Sequence, residues 1–297
     1  MTLPSTLPTP QTWTWQQWSI CYEKVGDQGP AVIFIHGFGA SWGHWRKNLP
    51  ELGKDCRCYA LDLIGFGDSD KPSPGEEIAY TFPTWAKQVA DFCQSVIGEP
   101  VFLVGNSIGC IVALQMAVDY PELVRGVALL NCSLRLLHER KQANLPLYKR
   151  YGASIVQQLL AFKPISNFFF AQLATPKTVR NILLQAYCRA EAVTDELVAM
   201  LLKPAADPGA VDVFVAFTSY SQGPLPEDLL PLVNCPVLIL WGDADPWEPI
   251  ALGEKLAEYP KVEKFIPLPN IGHCPQDEAP EIVNPLLQAW LAEKTAP

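Results

Sequence analysis

The chain has 297 residues, 49% of them hydrophobic and 18% charged, with a formal net charge of −9. That length can bury a substantial core, as one large domain or as one domain with an insertion. The acidic balance argues against wholesale nucleic-acid binding, and no uninterrupted apolar run reaches membrane-spanning length.

Residues 1–11 carry Pro4, Pro8 and Pro10 and lack the basic and apolar regions of a signal peptide. They read as a loose lead-in. Residues 12–17 and 19–24 suggest two short antiparallel strands around Trp18, followed by a turn cluster at 26–30. Residues 31–35 are wholly apolar, as in a strand buried on both faces, and run into His36-Gly37-Phe38-Gly39. A short helix is expected over 42–52 and a strand over 57–61. The loop from Asp62 to Pro72 is rich in Gly, Asp and Ser, whose side chains suit turn caps better than catalysis. An amphipathic helix over 84–97 precedes the apolar run Val101-Phe102-Leu103-Val104.

That run breaks at Gly105-Asn106-Ser107-Ile108-Gly109, and a helix follows over 110–120, stopped by Pro121. In so tight a strand-to-helix turn the flanking glycines avoid a Cβ clash. The serine hydroxyl is left at the tip, beside helix N–H groups that favour a developing negative charge. The pentapeptide by itself also fits a serine that only caps the helix.

A strand over 127–130 closes at Asn131-Cys132-Ser133. The strand–helix alternation then stops. From Leu134 to about Leu229 the patterning is mostly helical, over 155–162, 165–173, 179–190 and 194–202. Phe162, Phe168, Phe169 and Phe170 fall here and are expected mainly in the interior of this segment. Three consecutive phenylalanines cannot share one helix face, so part of this surface is a candidate lining for an apolar channel or a membrane contact. The core resumes with an apolar strand over 236–241, which ends in Gly242-Asp243-Ala244-Asp245-Pro246-Trp247-Glu248-Pro249. A helix over 250–259, a strand over 262–266, the loop around Gly272-His273 and a helix over 281–292 complete the chain. The nine cysteines are odd in number and form no C-x-x-C pair. They predict reduced, mostly buried thiols in a reducing compartment. Neither a metal site nor a cofactor motif is expected.

Three strand ends thus offer Ser107, an acid and His273, in that order. The order and the G-x-S-x-G context resemble the α/β-hydrolases. The resemblance implies an α/β-hydrolase fold: a mostly parallel sheet with helices on both faces, formed by 1–133 and 230–297, and an inserted helical cap over 134–229. It further implies that Ser107 is the nucleophile and His273 the base. The backbone N–H groups of Phe38 and Ile108 would form the oxyanion hole. Asp243 and Asp245 compete for the acid, and the W-G-x-x-D-x-x-x-P pattern of these enzymes selects Asp245. His36 is expected to brace the glycine loop, and His44 and His138 to be solvated or locally bonded. A serine rather than an aspartate at the elbow favours acyl chemistry over attack on an sp³ carbon.

Beyond the superfamily, several stretches resemble the chlorophyll dephytylase and pheophytinase group of plastid and cyanobacterial hydrolases. They are 44–48 (HWRKN), 105–109 (GNSIG), 130–135 (LNCSLR), 223–226 (GPLP), 245–249 (DPWEP) and 272–277 (GHCPQD). Cys110 departs from the second glycine common at such elbows. The resemblance implies a serine carboxylic-ester hydrolase that removes phytol from chlorophyll or pheophytin. It also implies a lipophilic ester as the partner and a cytoplasmic location with peripheral contact with thylakoid membranes. A carbon–carbon bond hydrolase of dienone acids is the enzymatic alternative, with Arg180 or Arg189 receiving a substrate carboxylate. A catalytically silent ligand-binding homologue is the other.

Overall fold

The computed structural model describes residues 10–136, 138–142 and 162–296. Eight strands form one sheet in the order β1-β2-β4-β3-β5-β6-β7-β8. They are β1 (Gln11–Trp15), β2 (Trp18–Val25), β3 (Ala31–Ile35), β4 (Arg57–Leu61), β5 (Val101–Asn106), β6 (Val124–Leu130), β7 (Val237–Gly242) and β8 (Val262–Leu268). The β1–β2 and β2–β4 pairs are antiparallel, and every later pair is parallel. Trp18 lies inside β2, and the first turn is Gln16-Gln17, with Gln16 at φ 57°.

Strands β3 and β7 are apolar at every position, as in strands covered by helices on both faces. Along β5, Val101 and Leu103 join one core layer. That layer also holds α1 (Phe82–Phe92) and α2 (Ile108–Asp119). Phe102 and Val104 face the other layer with Trp290 of α7 (Pro280–Thr295). The Phe102 and Trp290 rings meet edge to face, 5.6 Å apart.

Between β6 and β7 the described residues form helices and turns without a strand. The main helices are α3 (Lys163–Leu173), α4 (Pro176–Ala186), α5 (Asp195–Leu202) and α6 (Ala210–Ser219). The helix expected over 155–162 lies, but for its last residue, outside the described residues. The phenylalanines depart from expectation. Phe162, Phe168 and Phe169 are 61%, 69% and 43% exposed, and the one buried residue of α3 is Ser166. Phe170 turns inward, 5.4 Å from the Phe214 ring of α6.

Candidate active site

The candidate residues gather at the carboxyl ends of the parallel strands, where α/β sheets place their sites. Ser107 joins β5 to α2 with φ 55° and ψ −119°, a conformation that costs a non-glycine residue strain. Backbone hydrogen bonds hold it there. Ser107 N donates to Leu130 O (3.1 Å), and Ser107 O accepts from Cys110 N (3.1 Å) and Ser133 N (3.2 Å). The glycines on either side are sterically required. A Cβ on Gly105 would meet Gly109 O at 2.5 Å, and one on Gly109 would meet Ile35 O at 2.3 Å. Cys110 fits without a clash, buried with its Sγ 3.1 Å from Gly105 O.

His273 and Asp245 are brought together across two loops. His273 Nδ1 lies 2.7 Å from Asp245 Oδ2, and both residues are buried. Asp245 Oδ2 also accepts from Asn131 Nδ2 (2.8 Å), and its Oδ1 accepts from Trp247 N (2.8 Å) and Glu248 N (3.1 Å). Burial would raise this carboxyl. The hydrogen bond and charge of His273, with the donors from Asn131 and Trp247, outweigh burial and hold it below the usual carboxylate range. An ionised Asp245 orients the imidazole with Nδ1 as donor and leaves Nε2 free to take a proton. Asp243 instead accepts from Asn270 N in an exposed turn (2.7 Å).

The peptide of His273 is fixed at both ends. Its carbonyl accepts from Asn106 Nδ2 (3.1 Å), and its N–H donates to Ala186 O at the end of α4 (2.8 Å). Sequence reasoning missed Asn106, Asn131 and this role of Ala186. Asn106 and Asn131 stand within stretches that carry the family resemblance, but nothing local shows what each would bond.

The glycine loop after β3 lies alongside the elbow: a Cβ on Gly37 would sit 3.2 Å from Ser107 Cβ. His36 braces this loop as expected, with Nδ1 2.7 Å from Gly37 O and Nε2 accepting from Leu63 N (3.1 Å). Burial pushes its imidazole down to about 4, so it stays neutral. Among the described residues, neither Phe38 N nor Ile108 N has a hydrogen-bond acceptor. Donors left open in this way suit an oxyanion. Of the loop residues expected as turn caps, Asp62 bonds within its own loop, to Asp68 N, and Ser69 and Asp70 instead tie the loop to β2. Asp62 accepts from Trp42 N and Asp68 N, Ser69 Oγ from Cys21 N, and Asp70 from Ser19 N.

One histidine expectation needs correction. His44 is buried rather than solvated, and its Nε2 bonds Tyr187 OH 143 positions away (2.9 Å). His138 is buried too, but it is bonded locally as expected: its Nδ1 accepts from Arg140 N (3.1 Å), and its Nε2 lies 3.0 Å from Gly223 O. Most cysteines are buried as free thiols, but Cys188 is exposed.

Ser107 and His273 open on one cavity of about 650 Å³, walled mostly by apolar side chains of α4, α5 and α6. Two large aromatics on its wall stay partly exposed. They are Phe38, stacked on Phe217 at 4.6 Å, and Trp247, whose ring lies 5.0 Å from that of His273. Glu248 also lines the cavity. Its Oε1 accepts from Ser133 Oγ (3.1 Å), and its Oε2 has no partner among the described residues. Burial pushes this carboxyl up to about 7.

A serine elbow and a histidine–aspartate pair at the carboxyl edge of such a sheet define a hydrolase of the α/β class. The chain belongs to the alpha/beta hydrolase family, whose family profile matches residues 32–286. It is similar to the chloroplastic pheophytinase of Arabidopsis thaliana, 29% identical over 306 residues. That alignment covers 91% of this chain and 63% of the relative's length. Epoxide hydrolase 4 of Mus musculus is 26% identical over 92% of this chain and 76% of that protein. Among solved structures, a thermophilic esterase from Thermogutta terrifontis superposes with a TM-score of 0.72 at 24% identity, over 97% of this chain and 100% of that one. That likeness is one of fold.

Proposed function

We propose that this hydrolase is a serine carboxylic-ester hydrolase acting on a bulky lipophilic ester, with the phytyl ester of chlorophyll or pheophytin as the leading substrate class. The observation that carries the reading is the shared apolar cavity into which Ser107 and the Asp245-bound His273 both open. Ser107 Oγ attacks the ester carbonyl while His273 Nε2 takes its proton. The carbonyl oxygen becomes an oxyanion held by Phe38 N–H and Ile108 N–H. Collapse of this intermediate breaks the bond to the alcohol, which leaves with the proton from His273. Water, deprotonated by His273, then attacks the acyl-serine, releases the acid and restores Ser107. The helices between β6 and β7 serve as the cap over this chemistry.

The cavity supports a lipophilic substrate in both size and lining. At roughly 30 Å³ per heavy atom it holds about 20 atoms, enough for one half of a phytyl ester but not both. Similarity to pheophytinase supports the same class. The dienone-acid alternative needs a free cation facing the site. Arg180 pairs with Asp195 and Arg189 with Glu281, and neither lines the cavity. Lys71 does line it, but its Nζ is committed to Gly67 O, Ser69 O and Asp207.

The test is chromatography of pigments after incubation with chlorophyll a or pheophytin a in mild detergent, beside a Ser107→Ala control. Phytol and the dephytylated pigment, released by wild type alone, are expected. Serine-dependent cleavage of aryl esters without release from either pigment would discard the pigment and keep the esterase. Pigment bound but never cleaved, equally by Ser107→Ala, would favour the silent homologue.

A further inference from the structure

Resting on the reading of Ser107 and His273 as nucleophile and base, we infer that Glu278 is a positioning residue that clasps the end of α4 to the His273 loop, so that a chain filling the cavity speeds the chemical step. Glu278 is buried, and its two oxygens divide between two segments. Oε1 accepts from Cys188 N (3.0 Å) and Arg189 N (2.9 Å), just beyond α4. Oε2 accepts from Gly272 N (2.8 Å), the residue before His273. One carboxylate therefore joins the α4 end to the loop that carries the base.

The joined backbones are in direct contact. His273 N donates to Ala186 O, and a Cβ on Gly272 would meet that same oxygen at 2.1 Å. A second buried bond runs parallel. Tyr187 OH donates to Asp277 Oδ2 (2.9 Å) and accepts from His44. Asp277 is in turn held by Arg46 and Lys47. The base loop is thus registered against α4 as well as against the sheet.

The other face of α4 meets the substrate cavity through Val179, Ile182, Leu183 and Ala186. An apolar chain packed there presses on the helix whose last carbonyl holds His273. Binding energy from a part of the substrate far from the ester is thereby used to place the base, so it appears in the rate of the step rather than in binding alone. Without the clasp, the chain would still bind, but its contacts would no longer reach His273.

The experiment uses alkyl p-nitrophenyl phosphonates of increasing chain length on the full chain. These probes label an activated serine whether or not it turns over esters. The maximal labelling rate and the half-saturating concentration are read separately for wild type, Glu278→Gln and Tyr187→Phe. In wild type the maximal rate should rise about tenfold from the shortest to the longest chain. In Glu278→Gln that ratio should fall towards one, while the half-saturating concentration still improves with length. Tyr187→Phe should show the same loss in smaller measure, which serves if Glu278→Gln does not fold. A wild-type rate that is flat in chain length, or a full rise in both variants, overturns the inference. Labelling that rises with length while every ester stays intact would discard the esterase reading and leave the clasp supported. No labelling of wild type at all would remove both.

Discussion

The strongest residue-level test concerns His273, whose pairing with Asp245 spans 28 positions of sequence. His273→Ala removes the proposed proton acceptor and leaves a small gap beside Trp247. It should lower kcat on an aryl ester by at least ~10³-fold with the circular-dichroism spectrum and melting profile retained. Wild-type turnover by the variant would show that another group is the base. Glu248 gives a prediction in pH. Its carboxyl is raised to about 7 in the folded chain, from an ordinary value of 4.5. Between those values the unfolded chain gives up its proton first, so this group's contribution to stability is present at low pH and lost as pH rises through about 7. Glu248→Gln keeps the oxygen that accepts from Ser133 and cannot ionise. Relative to wild type it should gain on the order of 2–3 kcal/mol between pH 5 and pH 8, read from denaturant midpoints. A difference that does not change with pH would mean that Glu248 ionises freely in the fold. Ser107, Asp245 and His273 were legible because each stands in a short motif at a strand end. Asn131 was not, since its meaning lies in an aspartate 114 positions away. Nothing in the sequence signals that Glu248 and Glu278 are buried.

Among the elements, those with the strongest apolar signal were the most legible. β3, β5 and β7 are runs that only a doubly covered strand can bury, and their bounds follow the runs closely. Helix α1 starts two residues before the expected 84. Pro83 is tolerated in its first turn, and Thr81 Oγ1 accepts from Thr84 N. It also stops short, passing at Cys93 into a wider turn. The helices expected over 42–52 and 250–259 each divide into short pieces. In the first, Asp62 draws off Trp42 N, and the Asn48 side chain bonds Gln276 O and Asn284. Such distant partners leave no mark on periodicity. Helix α6 went unnamed because its Val and Phe content suits a strand as well. The elbow permits a test at this scale. Gly109 is where α2 crosses the end of β3, and the oxygen that a Cβ would strike is backbone, with no rotamer to yield. Gly109→Ala should destabilise the fold by about 3 kcal/mol and lower its melting temperature. A variant as stable as wild type would show that the β5–α2 turn has room to shift.

In the whole molecule, the sheet and the helices beyond β6 divide the work. The sheet brings the ends of β3, β5, β6, β7 and β8 to one edge, which sets the chemistry. The helices wall the cavity, which sets what can be brought to it. The two are chemically distinct. Polar groups of the wall concentrate near Ser107 and His273, and the surfaces of α4, α5 and α6 offer mainly aliphatic and aromatic side chains. Selectivity for long substrates should therefore respond to changes in the helices that leave Ser107, Asp245 and His273 in place. Ile182 of α4 is suited to the experiment. It lines the cavity yet is 39% exposed, so a larger side chain there has solvent to expand into and need not strain the core. Ile182→Trp would occupy roughly 2–3 heavy-atom volumes of cavity at ~30 Å³ each, enough to displace the end of a chain that fills the space. The ratio of kcat/KM for a long-chain p-nitrophenyl ester to that for the acetate should drop about 15- to 60-fold, the effect of two to three lost methylenes at ~0.8 kcal/mol each. An unchanged ratio, with esterase activity retained, would place the lipophilic part of the substrate elsewhere on the molecule.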